Sequence, residues 1–249
     1  MANWNDPQPR QTGFGASPSL NGEAVTRSTY DMGLRRHMLS IYNYMASGVL
    51  LSGIVALLFA QSGFAAQIMT GGGALAWLII LSPLAFVFAM SFGANRFSTG
   101  ALRAMFWGFA TVMGLSLSTI FLVYTQASIA LTFFATAAAF AGLSLVGYTT
   151  KKDLSGMGTF LIMGVIGLLV AMVINMFVGS TVMQLAISAI GVLIFAGLTA
   201  YDTQRLKLMY HQVAGTEFAG KAVVLGALSL YLDFINMFQF LLAFLGQRD

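Results

Sequence analysis

Seven stretches of the chain, roughly 38–60, 74–94, 102–124, 128–149, 157–178, 183–204 and 222–246, are apolar almost without interruption. A helix rises about 1.5 Å per residue, so about 20 such residues cross the ~30 Å hydrocarbon core of a bilayer. The runs are too long for membrane β-strands and do not alternate apolar with polar positions as barrel strands do. They predict seven transmembrane helices. The connections 125–127 and 179–182 are so short that the helices they join must be antiparallel neighbours. The chain therefore reads as an all-α polytopic membrane protein, a seven-helix bundle over 38–246. Residues 1–37 are polar, contain Pro7, Pro9 and Pro18, and carry no apolar period. That pattern predicts a flexible tail. No short apolar core with a small-residue cleavage site lies near its start, so no signal peptide is expected.

Composition sharpens this picture. Of 249 residues, 58% are apolar and 8% are charged, against about 25% charged in soluble domains. Disorder over most of the chain and an ordinary water-soluble fold are both excluded. With no cysteine, a disulfide scaffold, a thiolate metal site and a cysteine nucleophile are excluded too. Two histidines, His37 and His211, are too few for a histidine-rich metal site.

The net charge of +4 would suit nucleic acid, but its distribution points to membrane topology instead. Arg10, Arg27, Arg35 and Arg36 lie before the first span. Arg96 and Arg103 flank the second connection, Lys151 and Lys152 the fourth, and Arg205, Lys207 and Lys221 the sixth. If every span crosses, these eleven of the twelve basic residues share one side. Only Arg248 lies after the last span. Lysine and arginine collect on the cytoplasmic side, so the N-terminus is expected to be cytoplasmic. The C-terminus is expected outside if the seventh span crosses, and inside if it is re-entrant.

Small residues at helical spacing, Gly48/Ser52, Ala196/Ala200 and Gly164/Gly167, offer surfaces for close helix packing in lipid, although such residues are common in any span. Pro83 predicts a kink in the second span. Methionine, fifteen copies in all, suits adaptable packing better than a cofactor site.

Of eight acidic residues, Asp6, Glu23 and Asp31 precede the first span, Asp153 and Glu217 lie in connections, and Asp249 is the C-terminus. Asp202 and Asp233 remain. Asp202 lies near the end of the sixth span, and Asp233 about 11 residues, or about 16 Å, into the seventh. A carboxylate inside a membrane costs about 2.5 kcal/mol or more on insertion scales, faces the protein interior and requires a partner. Because the sixth and seventh spans are consecutive and antiparallel, each aspartate is the natural partner of the other. Two carboxyl groups in contact in a low-dielectric site do not readily both ionise. They share a proton and titrate as a unit. The shared proton would lock two helices together, and its loss would part them or recruit a cation. Asp202 has an alternative partner in Arg205, three residues on along the same helix. Arg96, just past the kinked second span, is a candidate cap on the pair or an ordinary basic anchor. Asn236, three residues after Asp233, shares its face and could bond it, line a pore or bridge helices. Tyr201 and Tyr231 each precede an aspartate closely enough to be considered donors.

Three stretches carry a family resemblance: Gly147-Tyr-Thr-Thr-Lys-Lys-Asp-Leu-Ser155 with Gly158-Thr-Phe-Leu161 behind it, Ala200-Tyr-Asp-Thr-Gln204, and Leu228-Ser-Leu-Tyr-Leu-Asp-Phe-Ile-Asn236. In this order the chain resembles the Bax inhibitor family (transmembrane Bax-inhibitor-motif proteins), in its bacterial YccA-like branch, over about residues 30–249. The resemblance implies a seven-helix bundle with the last helix central, and a pH-sensing aspartate pair at Asp202 and Asp233. It also implies a closed-state arginine at Arg96, a pH-sensitive calcium leak, and a bacterial inner-membrane location.

The leading expectation is a passive calcium leak. Asp202 and Asp233 would form a weak calcium site, and together with Asn236 they would line the ion pathway. Calcium is the transported ion rather than a cofactor, and no cofactor is expected. The partners expected are the lipid bilayer and calcium, not nucleic acid. As a second possibility, the resemblance implies an interaction protein that modulates a membrane-bound ATP-dependent protease, for which residues 1–37 would be a handle. A third, an intramembrane aspartyl protease, fits Tyr201-Asp202, but Asp233 lacks a preceding Gly-x-Gly. No enzymatic activity is therefore expected.

Overall fold

The computed structural model describes residues 18–71 and 73–248. Its helices are α1 (Pro18–Gln61), α2 (Phe64–Thr70), α3 (Ala74–Gly93), α4 (Thr99–Leu117), α5 (Ile120–Val123), α6 (Gln126–Thr149), α7 (Ser155–Val178), α8 (Thr181–Val213) and α9 (Ala219–Leu245). Seven helical segments are long and apolar enough to span a membrane, with α4 and α5 together making the third. Among the described residues there is no strand, only an isolated bridge between Tyr124 and Arg248. Large apolar side chains such as Phe92, Phe177 and Leu193 lie on the outside. A belt of this kind is suited to lipid and not to water.

Two boundaries differ from the sequence reading. Residues 1–17 of the expected tail lie outside the described residues, but α1 begins at Pro18, so 18–37 is helical. Leu34 and His37 are buried and continue the stripe of Met38 and Ile41. At 44 residues, α1 is about 66 Å long, roughly twice the hydrocarbon thickness. The sixth spanning helix likewise runs on to Val213 instead of ending near 204. Its last turns are amphipathic: Leu206 and Val213 are buried while Arg205 and Leu208 face outward.

The last helix is central. Half of the apolar window of α9 is buried, against a third or less in the other spans. It packs on α8, α1, α6 and α4, whereas among the long helices α7 packs chiefly on α8 and α3 chiefly on α4. At its start, Lys221 Nζ donates to the Ala94 carbonyl at the end of α3. At its far end, Gln247 O accepts from Thr125 N at the α5–α6 turn. The helix therefore runs unbroken from the α3–α4 end of the bundle to the α5–α6 end and does not turn back.

Small residues set several helix separations. A Cβ on Gly147 would lie 2.2 Å from the Ala200 carbonyl oxygen, so α6 and α8 touch backbone to backbone there. Gly48 accommodates the Phe106 ring, and Gly164 faces Ile194. Gly167 borders open space, so the second member of that pair makes no contact. Pro83 sits inside a continuous α3. Proline removes the donor to the carbonyl four residues back, and that carbonyl, Ile79 O, accepts from the Ser82 and Ser116 hydroxyls at 3.0 and 2.6 Å instead.

Candidate functional site

The two intramembrane aspartates lie on adjoining helices, and both are buried: Asp202 is 7% exposed and Asp233 4%. Ser229 links them. Its hydroxyl donates to Asp202 Oδ2 across the α8–α9 contact, and it stands four residues before Asp233 on α9. Positions four apart are neighbours on one helix face, so Asp233 lies one turn from the residue that holds Asp202. Asp233 Oδ2 is fully enclosed and has no hydrogen-bond partner among the described residues.

Arg205 completes the cluster. Its guanidinium lies 3.7 Å from Asp202 Oδ1, with its side chain 55% exposed. A cavity of about 370 Å³ between α3, α8 and α9 reaches this group, lined by Ser91, Asp202, Arg205 and Ser229 among others. The pairing of Asp202 with Arg205, weighed as an alternative to the aspartate pair, therefore coexists with burial beside α9. Arg96 is exposed in the turn after α3. The guanidinium against Asp202 belongs to Arg205, not Arg96.

Three other expectations take different forms. Asn236 Nδ2 donates to the Leu232 carbonyl of its own helix at 2.8 Å, not to Asp233. Asn236 also lines a second cavity, of about 630 Å³, with Asn175, Gln184, Ser188 and Gln239. Tyr231 is fully buried and points away from the aspartates. Its hydroxyl lies 2.6 Å from Ser52 Oγ, which also reaches the Ala110 and Gly48 carbonyls. Tyr201 packs over Gly158 of α7.

The two cavities flank the aspartates from opposite ends. The first is lined by Leu232 and the second by Asn236. These residues are one turn, about 6 Å, apart along α9, and Asp233 lies between them in sequence. The stacked rings of Phe195 and Phe240, 5.8 Å apart, line the second cavity.

The three sequence stretches that carry the family resemblance converge on α8. Gln204 Oε1 accepts from Leu154 N at 2.8 Å, and its Nε2 donates to Lys152 O at 2.8 Å. It thereby clamps the α6–α7 connection. Lys207 Nζ donates to Tyr148 O at 2.8 Å and lies 4.9 Å from the Tyr148 ring centre. In the same connection Asp153 accepts from the Ser155 hydroxyl and amide. These bonds hold its carboxyl below the ordinary carboxylate value. Sequence reasoning missed Ser229 and the double clamp of Gln204. The only signal for Ser229 was its four-residue spacing from Asp233.

The chemical capacity of the site is limited. Among the described residues no three His, Cys, Asp or Glu side chains gather as a metal cluster. Two carboxyl groups and one hydroxyl offer part of the six to eight oxygens that calcium takes.

Known proteins give this arrangement a context. The family model described as "Inhibitor of apoptosis-promoting Bax1" matches residues 34–249. A protein of Caulobacter vibrioides is 46% identical over 228 residues, 87% of this chain and 90% of its own length. Inner membrane protein YbhL of Escherichia coli is 42% identical over 218 residues, 87% of this chain and 93% of its own. Protein RP147 of Rickettsia prowazekii is 41% identical over 222 residues, 88% and 93% of the two chains.

Proposed function

The chain belongs to the Bax inhibitor family, and from that premise we propose that it is a pH-sensitive calcium leak, gated by Asp202 and Asp233 sharing a proton. The observation that carries the reading is the Ser229 bridge. It ties one buried carboxyl group to the helix, and to the turn, that bears the other.

In this reading one proton held between the two groups keeps α8 against α9. Its loss leaves two like charges buried on adjoining helices, and these repel unless a cation enters. The partial oxygen shell suits an ion that must also leave again. Calcium is the transported ion. Its route joins the cavity at Asp202 to the cavity at Asn236 through the single α9 turn that separates them. Arg205 balances Asp202 while the route is shut, the role that the resemblance gives to Arg96. No catalytic step is assigned to the pair.

The reading puts the protein in a bacterial inner membrane, where the name of its Escherichia coli relative puts YbhL. The lysine and arginine bias supports a cytoplasmic N-terminus in this reading. The test is calcium entry into vesicles containing the purified protein, measured across a pH series. Entry that rises as the pair deprotonates supports the reading. Entry no greater than in protein-free vesicles at every pH contradicts it.

A further inference from the structure

A cavity larger than either of those lies away from the aspartate site, between α1 and α6. These two helices hardly touch, and the groove between them has a volume of about 900 Å³. Pockets of 300–1,000 Å³ are typical of bound small ligands. Phe140 and Phe234, both buried, form its floor, while Leu39, Leu50 and Leu145 on its rim are more than half exposed. The groove thus opens sideways along the bundle's apolar exterior, toward lipid. On α1 its lining runs from Arg35 to Leu50. These 15 steps measure about 22 Å, longer than one leaflet's hydrocarbon, half of ~30 Å.

Its charge is confined to one end. Among the described residues Arg35 is its one charged lining residue, and no carboxylate lines it. Tyr148, at the same end, carries the Lys207 ammonium over its ring. An apolar trough of acyl-chain length, open to the bilayer and ending at the Arg35 cation, matches a lipid with an anionic headgroup.

We propose that the α1–α6 groove binds an anionic phospholipid, with one acyl chain along the groove and its phosphate at Arg35. The site is independent of the calcium reading: it uses neither aspartate nor either cavity of the proposed ion route. It assigns the lipid a fixed place on the protein rather than a share in a fluid annulus.

The test is native mass spectrometry of the full-length protein in detergent. Delipidated protein is offered long-chain phosphatidylglycerol, phosphatidylcholine or palmitate. One phosphatidylglycerol is expected to bind, about five-fold more tightly than phosphatidylcholine, since a basic residue near the headgroup contributes about that much. Arg35→Gln should erase this preference. Ala141→Trp fills the groove from α6, and Ala46→Trp fills it from α1. Both positions are exposed, so neither change disturbs the core, and each should weaken binding at least about ten-fold. Gel filtration shows which variants keep the wild-type fold, and either tryptophan variant alone suffices. Unchanged binding in a folded tryptophan variant overturns the proposal. So does equal binding of the two phospholipids, a preference that survives Arg35→Gln, or displacement of the phospholipid by equimolar palmitate.

Discussion

The hydroxyl of Ser229 on α9 donates to the carboxylate of Asp202 on α8. This single contact relates the two intramembrane aspartates. It holds Asp202 beside the turn that carries Asp233, while Asp233 Oδ2 is enclosed without a hydrogen-bond partner among the described residues. A buried oxygen left in this way is costly unless it carries a proton or meets a cation. The proposed gate is built on those two alternatives.

The centre of the bundle offers a stability test free of titration. Tyr231 and Ser52 share a 2.6 Å hydrogen bond deep in the core. Tyr231→Phe removes one hydroxyl and leaves Ser52 its bonds to the Ala110 and Gly48 carbonyls, a loss of about 1 kcal/mol. Ser52→Ala strands the Tyr231 hydroxyl in an apolar site, a loss of about 1–3 kcal/mol. Thermal unfolding in detergent should therefore rank Ser52→Ala below Tyr231→Phe. The reverse order would show that the tyrosine finds another partner.

Helix spacing is tested by two glycines. Gly147→Ala pushes a Cβ against the Ala200 carbonyl oxygen, where backbone must move, and should lower stability by about 3 kcal/mol. Gly167→Ala meets nothing within 4 Å and should gain up to about 1 kcal/mol from helix propensity. Equal melting temperatures for the two variants would count against the α6–α8 backbone contact.

The clamp on the α6–α7 connection is open to proteolysis. Gln204→Leu removes the bonds to Leu154 N and Lys152 O, each about 1 kcal/mol. The segment holding Lys151 and Lys152 should then open more often. Trypsin should cleave there up to about thirty-fold faster than in the wild type, the factor that about 2 kcal/mol represents. An unchanged rate would mean that Gln204 does not hold the connection.

The seven spans were legible because about 20 apolar residues in a row have few other uses. The extensions of α1 and α8 were not, because beyond the bilayer the pattern becomes that of an ordinary amphipathic helix. Leu34 with His37, and Leu206 with Val213, are too sparse to announce themselves against Arg35, Arg36 and Arg205. The aspartates stood out because charge in an apolar run is rare. Ser229 did not, since serine is common in spans. Tyr231, a possible donor by its closeness in sequence, bonds Ser52 instead, since residues two apart on a helix do not face each other. Asn236 does share the Asp233 face, but its amide turns to the Leu232 carbonyl of its own helix, a choice that spacing cannot reveal.

The proposed gate is tested most directly by calcium flux in vesicles carrying the Asp202→Asn, Asp233→Asn double variant, followed from acidic to alkaline pH. Asparagine keeps the shape of each side chain and removes its titration. Wild-type flux should rise with pH, and the double variant should show a flat profile. A double variant that retains the wild-type pH dependence would contradict the account.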